Sequence, residues 1–191
     1  MNYSQCGEDL WVAENLKPKR GSFCEVGAFN GIGCSNTLMF EEDGWPGICI
    51  EPVPESAFLC FRNRKCHTIC CAVGSSSAFL GLFHYNNVDL GASGIADHCA
   101  TNFTRTIPVP IMRLDDIFDV LCPECPTLLS IDTEGTEVNV LESLGSYRPE
   151  IIIIEYKTFD NAPNDHAIKL WASITGYKEV HRTMCNLILT R

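Results

Sequence analysis

Short aliphatic runs that stop on a carboxylate set the frame of this chain. Ile48-Cys-Ile stops on Glu51, Leu128-Leu-Ser-Ile on Asp132, and Ile151-Ile-Ile-Ile on Glu155. A fourth run, Ser22-Phe-Cys-Glu-Val26, passes straight into a glycine-bearing turn, Gly27-Ala-Phe-Asn-Gly31-Ile-Gly33. Strands this short and apolar are buried on both faces, as in parallel sheets, and parallel neighbours need a crossover between them. Residues 35–43, opened by Ser35, and residues 52–64, 114–122, 137–144 and 165–175 read as the helices that supply those crossovers. Ser4 can cap a further helix running to about Leu16, before the breaker Lys17-Pro-Lys-Arg-Gly21. Residues 67–73 read as a third strand, and residues 177–182 and 185–189 lie close enough to pair as an antiparallel hairpin. The stretch from 74 to 113 lacks a 3.6-residue period: 78–85 reads as a hairpin-like excursion, Gly91-Ala-Ser-Gly94 as a mobile loop and 107–112 as a strand. The expected fold class is α/β, a Rossmann-like doubly wound sheet with an N-terminal helix and a C-terminal hairpin, as a single domain over residues 1–191.

Composition narrows the function classes. With 46% apolar and 20% charged residues a full core can form, and general disorder is excluded. Lys and Arg total 14 against 24 Asp and Glu, a net charge of −10, which argues against a partner as acidic as DNA or RNA. No segment is long and apolar enough to span a bilayer, and the start has neither the basic nor the apolar part of a signal peptide, so a soluble cytoplasmic protein is expected. Twelve cysteines are many, but they are scattered through strands and helices, and reduced core and loop thiols are the expected state. Cys122-Pro-Glu-Cys125 is a close pair that lacks a second pair at zinc-finger spacing, with only His98-Cys99 on offer, so no metal site is assigned.

In a doubly wound sheet, ligands bind outside the carboxyl ends of the strands. The turn after the first strand has the spacing Gly-x-x-x-Gly-x-Gly, which differs from the Gly-x-Gly-x-x-Gly of dinucleotide binders and leans away from NAD. Glu51 can accept hydrogen bonds from both ribose hydroxyls of an adenosine, and Cys71-Ala72-Val73 is small and apolar enough to lie beside an adenine. Asp132 and Glu134, joined by Glu155, put three acids on adjoining strand ends, more than helix capping requires. They can serve as a general base or help to hold a divalent cation.

Ser4-Gln5 with Gly7-Glu8-Asp9-Leu10, Glu25-Val-Gly-Ala-Phe-Asn-Gly31, Ser35-Asn-Thr-Leu38, Glu51-Pro52, Asn63-Arg64 and Leu129-Ser-Ile-Asp-Thr-Glu-Gly-Thr-Glu137 together resemble the FkbM-type methyltransferases. The resemblance implies a class I fold with a seven-stranded sheet whose last strand is antiparallel. It implies S-adenosylmethionine as cofactor and O-methylation of hydroxyls, often on sugars or other metabolites, and hence a small-molecule acceptor. By the same resemblance Glu25, Gly27 and Asn30 line the methionine part of the cofactor, Ser35 caps the first core helix beside it, Glu51 takes the ribose and Ala72 sits by the adenine. Asp132 and Glu134 face the transferring methyl, and Ser4, Gln5 and Glu8 form an N-terminal lid contact. The base is expected to be Asp132 or Glu134, with His98 as an outsider, or else Mg²⁺ on Asp132, Glu134 or Glu155 lowers the acceptor pKa. Acceptor specificity is expected within 75–113, around His84, Tyr85, Asn86, Asn87 and Arg105. Two rivals stand beside this reading: an NAD-dependent Rossmann oxidoreductase, which predicts Gly where Phe29 stands, and a catalytically inactive methyltransferase-like binding module. The oligomeric state has no signature in the sequence.

Overall fold

The computed structural model describes residues 3–85, 94–95, 105–122, 124–157 and 164–191. Seven strands form the main sheet: β1 (Phe23–Val26), β2 (Gly47–Ile50), β3 (His67–Ile69), β8 (Leu128–Ile131), β9 (Ile151–Glu155), β10 (Lys178–Arg182) and β11 (Asn186–Thr190). Their order is β10-β11-β9-β8-β1-β2-β3. The five strands from β9 to β3 run parallel, while β11 is antiparallel to both β9 and β10. The C-terminal hairpin therefore inserts its second strand next to β9 and leaves its first at the edge.

Side-chain alternation on the strands divides the interior into two layers. Cys24, Val26, Leu129, Ile131, Ile152 and Ile154 pack on α4 (Leu114–Leu121), α5 (Glu137–Glu142) and α6 (Asp165–Thr175). Phe23, Leu128, Ile151 and Ile153 face the opposite way, toward α1 (Glu8–Asn15), α2 (Leu38–Glu42) and α3 (Pro54–Asn63). The switch point between β1 and β8 opens at the carboxyl ends of the parallel strands, where the carboxylate-terminated runs converge.

Three expectations are corrected in detail. Residues 67–73 do not form one strand. β2 offers pairing only along Ile48–Ile50, opposite β3, so the chain leaves the sheet and Ala72–Val73 becomes β4 of a second, four-stranded sheet. That sheet has the order β4-β7-β5-β6 and contains β5 (Ala78–Tyr85), β6 (Gly94–Ile95) and β7 (Arg105–Met112). The expected excursion over 78–85 is thus the central antiparallel partner of β7. Helix α1 starts later than a Ser4 cap would place it: Gly7, at φ +83°, occupies the N-cap position, while the Ser4 hydroxyl donates to Asp9 Oδ1 at 2.6 Å and accepts the first-turn amide of Asp9 at 3.4 Å. Helix α2 begins at Leu38 rather than Ser35, because residues 35–37 are drawn onto a buried carboxylate. Gly91, Asn86, Asn87, His98 and Cys99 lie outside the described residues.

Candidate active site

Position in the strand decides what each acid does. Glu25 falls on the same face of β1 as Phe23, so its side chain enters the layer of α2 and α3 and is 4% exposed. Arg64, at the end of α3, reaches it with Nη1 at 3.0 Å and reaches Glu41 with Nε at 2.6 Å. Ser35 Oγ, the Asn36 amide and Thr37 Oγ1 also donate to Glu25, at 2.8, 2.9 and 2.7 Å. Arg64 donates in addition to the carbonyl of Gly31, to Ser35 Oγ and to Thr37 Oγ1. One buried guanidinium therefore ties the strand end, the glycine turn and the start of α2 together. In the sequence Arg64 stands only within a family motif, and its position between Arg62-Asn63 and Lys65 reads as an exposed basic helix end, so no local signal pointed to this role.

The glycine turn is built from close approaches. The Gly27 amide donates to the Ile50 carbonyl at 2.9 Å, and a Cβ at Gly27, where φ is +83°, would lie 1.7 Å from the Asp132 carbonyl oxygen. Only glycine lets β1 and β8 end this close together. Asn30 Oδ1 folds the turn by accepting the amides of Ile32 and Gly33 at 3.0 and 2.9 Å. Ser35 Oγ accepts the Leu38 amide at 3.1 Å and so caps the first turn of α2, the role expected of it. Phe29, Cys34 and Glu134 hold positive φ without being glycine, and all three rim the strand ends. Such conformations cost about 1–3 kcal/mol each and concentrate at functional loops.

Glu51 is 6% exposed and accepts the amides of Phe29 and Val53, both at 2.8 Å. Burial pushes its pKa up to about 8, and those two amides only partly offset the effect. A buried carboxylate in this condition gains from further donors, such as vicinal hydroxyls. Ala72 lies in β4, packed with Val53, Phe83 and Val109 beneath that point.

On the other side of the glycine turn, Asp132, Glu134 and Glu155 each offer an oxygen within 4.8 Å of the others. Burial and the neighbouring carboxylates push both Asp132 and Glu155 upward, Glu155 the more strongly, and the two share a hydrogen bond. Two carboxyls so placed titrate as a unit and resist losing both protons. Glu155 Oε2 is buried without a conventional donor. Glu137 stands apart from this group, because its Oε1 holds the 133–135 loop through Thr133 and Gly135.

The N-terminal segment borders the same mouth. Ser4 forms a parallel bridge to Cys34, and Asp9 holds the segment by accepting from Ser4 Oγ and the Tyr3 amide. Glu8 Oε1 accepts Thr183 Oγ1 at 2.7 Å and Asn186 Nδ2 at 2.9 Å, tying α1 to the C-terminal hairpin. Gln5 is exposed and accepts from Cys185 Sγ at 3.2 Å.

A seven-stranded sheet with an antiparallel β11, a glycine turn after β1 and acids on the ends of β2 and β8 define the class I methyltransferase architecture. The chain belongs to the FkbM methyltransferase domain family, whose profile matches residues 25–184, and S-adenosylmethionine is the methyl donor that goes with that membership. Among solved structures it is similar to the ribosomal protein L11 methylase of Lactobacillus delbrueckii subsp. bulgaricus, at 13% identity and a TM-score of 0.55, over 97% of this chain and 77% of that one. It is similar also to precorrin-6y C5,15-methyltransferase of Geobacter metallireducens GS-15, at 11% identity and a TM-score of 0.54, over 96% of this chain and 86% of that one. No curated protein sequence matches it. Among the described residues no helix is long and apolar enough to cross a membrane.

Proposed function

We propose that this methyltransferase, as one catalytic domain, methylates a hydroxyl oxygen of a sugar or similar small metabolite, with Asp132 as general base. The observation that carries the reading is the cluster of Asp132, Glu134 and Glu155 beside the glycine turn, with one oxygen of each within 4.8 Å of the others, where burial and like charge raise the proton affinity of Asp132. When bound, S-adenosylmethionine supplies the methyl group from a sulfonium that leaves as a neutral thioether. Asp132 takes the proton of the acceptor hydroxyl as its oxygen bonds to the methyl carbon, and Glu134 orients the acceptor. Glu51 receives the ribose hydroxyls, Ala72 lies by the adenine, and Gly27 and Asn30 shape the turn against the methionine part. Glu25 and Ser35 hold that turn through Arg64, and Gln5 closes over it from the N-terminal segment. The net charge of −10 favours a small neutral acceptor over a nucleic acid.

The test has two parts. Thermal unfolding with S-adenosylmethionine, S-adenosylhomocysteine or NAD added singly should show a rise of the midpoint with the first two alone. Methyl-labelled cofactor, offered with a panel of sugars and hydroxylated metabolites in the presence and absence of EDTA, should label an oxygen equally in both. A shift with NAD alone overturns the methyltransferase site. Loss of labelling in EDTA replaces the base with a metal, and labelling of RNA or protein alone overturns the acceptor class.

A further inference from the structure

At the border of the mouth, Cys6, Glu8 and Cys185 bring two sulfurs and a carboxylate oxygen within 4.8 Å of one another, from opposite ends of the chain. We propose that these three side chains form a zinc site that clamps the N-terminal segment to the C-terminal hairpin.

Cys6 Sγ and Cys185 Sγ stand 3.8 Å apart. Two Zn–S bonds of about 2.3 Å at the tetrahedral angle place their sulfurs about 3.8 Å apart, so the ion fits the pair without moving either segment. A disulfide has a length of about 2.05 Å and requires the sulfurs to close most of the present gap.

The surroundings are those of a ligand set. Glu8 is fully buried, an unusual position for a carboxylate with no cation near it among the described residues. Thr183 Oγ1 and Asn186 Nδ2 fix its Oε1, while the Cys6 amide donates to Oε2 at 2.9 Å. Asn186 Nδ2 also lies 3.4 Å from Cys185 Sγ, in position to donate to a thiolate. Metal-bound carboxylates and thiolates are oriented by such outer partners. With Cys6, Glu8 and Cys185 as protein ligands, the fourth vertex takes water beside the Gln5 amide oxygen. Binding releases two thiol protons, and the dication then faces two thiolates and one carboxylate, leaving a single net negative charge.

The second close thiol pair, Cys49 and Cys66 at 3.4 Å, is a natural control: the carboxylate that reaches it, Glu25 at 4.0 Å from Cys49 Sγ, is already neutralised by the Arg64 guanidinium. The site is independent of the methyl-transfer reading, since metal binding is measured without cofactor or acceptor.

The reduced, metal-free protein should take up one equivalent of Co²⁺ with thiolate charge-transfer and tetrahedral visible bands, and added Zn²⁺ should displace it. Zinc-edge absorption spectroscopy on the unmutated protein should give two sulfur scatterers and two lighter ones, which keeps the test valid if a variant fails to fold. Cys185→Ser and Cys6→Ser should lose the bands while Cys66→Ser keeps them. Bands that persist in the Cys6→Ser/Cys185→Ser double variant, a sulfur count other than two, or metal-free protein that shows no cobalt bands and a Cys6–Cys185 disulfide by mass spectrometry would each overturn the proposal.

Discussion

Glu25 and Asp132 end adjacent parallel strands, one on each side of the same glycine turn, yet they live in opposite electrostatic conditions. Glu25 meets a guanidinium and three further donors, and its charge is fully met inside the helix layer. Asp132 meets two more acids, and burial and their like charge raise its proton affinity. The difference comes from position along the strand: Glu25 lies within β1 and follows its pleat into the helix layer, whereas Asp132 lies just beyond the end of β8, where the pleat no longer sets its direction. A carboxylate at a strand end is therefore not one functional category. The compensated acid holds the scaffold, and the uncompensated one is available for proton chemistry.

Removing Arg64 breaks the comparison most severely. Arg64→Met leaves Glu25 and Glu41 buried without their cation and should lower stability by about 3–5 kcal/mol, read from urea unfolding. Next in size, Asp132→Asn should lower the methyl-transfer rate constant by about 10²- to 10⁴-fold while leaving the urea midpoint near that of the parent. An equal loss of stability in both variants would erase the distinction drawn here.

The third effect is a pH dependence at Glu51. Its pKa of about 8 in the empty site falls if ribose hydroxyls donate to it, because those bonds favour the ionised form. Binding then releases a proton, so S-adenosylhomocysteine affinity should rise with pH up to about 8, by at most about tenfold per unit, and level off above. Glu51→Gln should flatten the profile, and calorimetry in buffers of different ionisation enthalpy checks the proton count. The smallest effect is expected from Thr37→Val, which removes one of several donors to Glu25 and should cost about 1 kcal/mol without altering the pH profile.

The sheet was legible because its signals are local: apolar runs of strand length, breakers between them, and a glycine turn whose spacing leans away from a dinucleotide site. The strand-end acids were legible for the same reason. What escaped depends on distant partners. Nothing near Glu25 in the sequence announces that Arg64, thirty-nine positions on, will neutralise it. Helix α1 took its N-cap at Gly7 where local rules favour Ser4, and the departure of residues 72–73 from the main sheet was set by where β2 runs out of free edge. Cys6 and Cys185 meet across 179 positions, a pairing that spacing rules for close cysteines cannot anticipate.

That departure at β4 has a consequence for how such an enzyme diversifies. The four strands of the second sheet leave the main fold after β3 and return to it at α4; Ala72, Phe83 and Val109 form a small core of their own with Val53, while Val73 and Met112 anchor the sheet in the main core. The main sheet is thus continuous without the second one, because no strand of β4 to β7 pairs with any of its seven strands among the described residues. Exchanging the segment between Gly74 and Arg113 with that of a family member, and reading which acceptors each chimera methylates, tests whether acceptor preference travels with it.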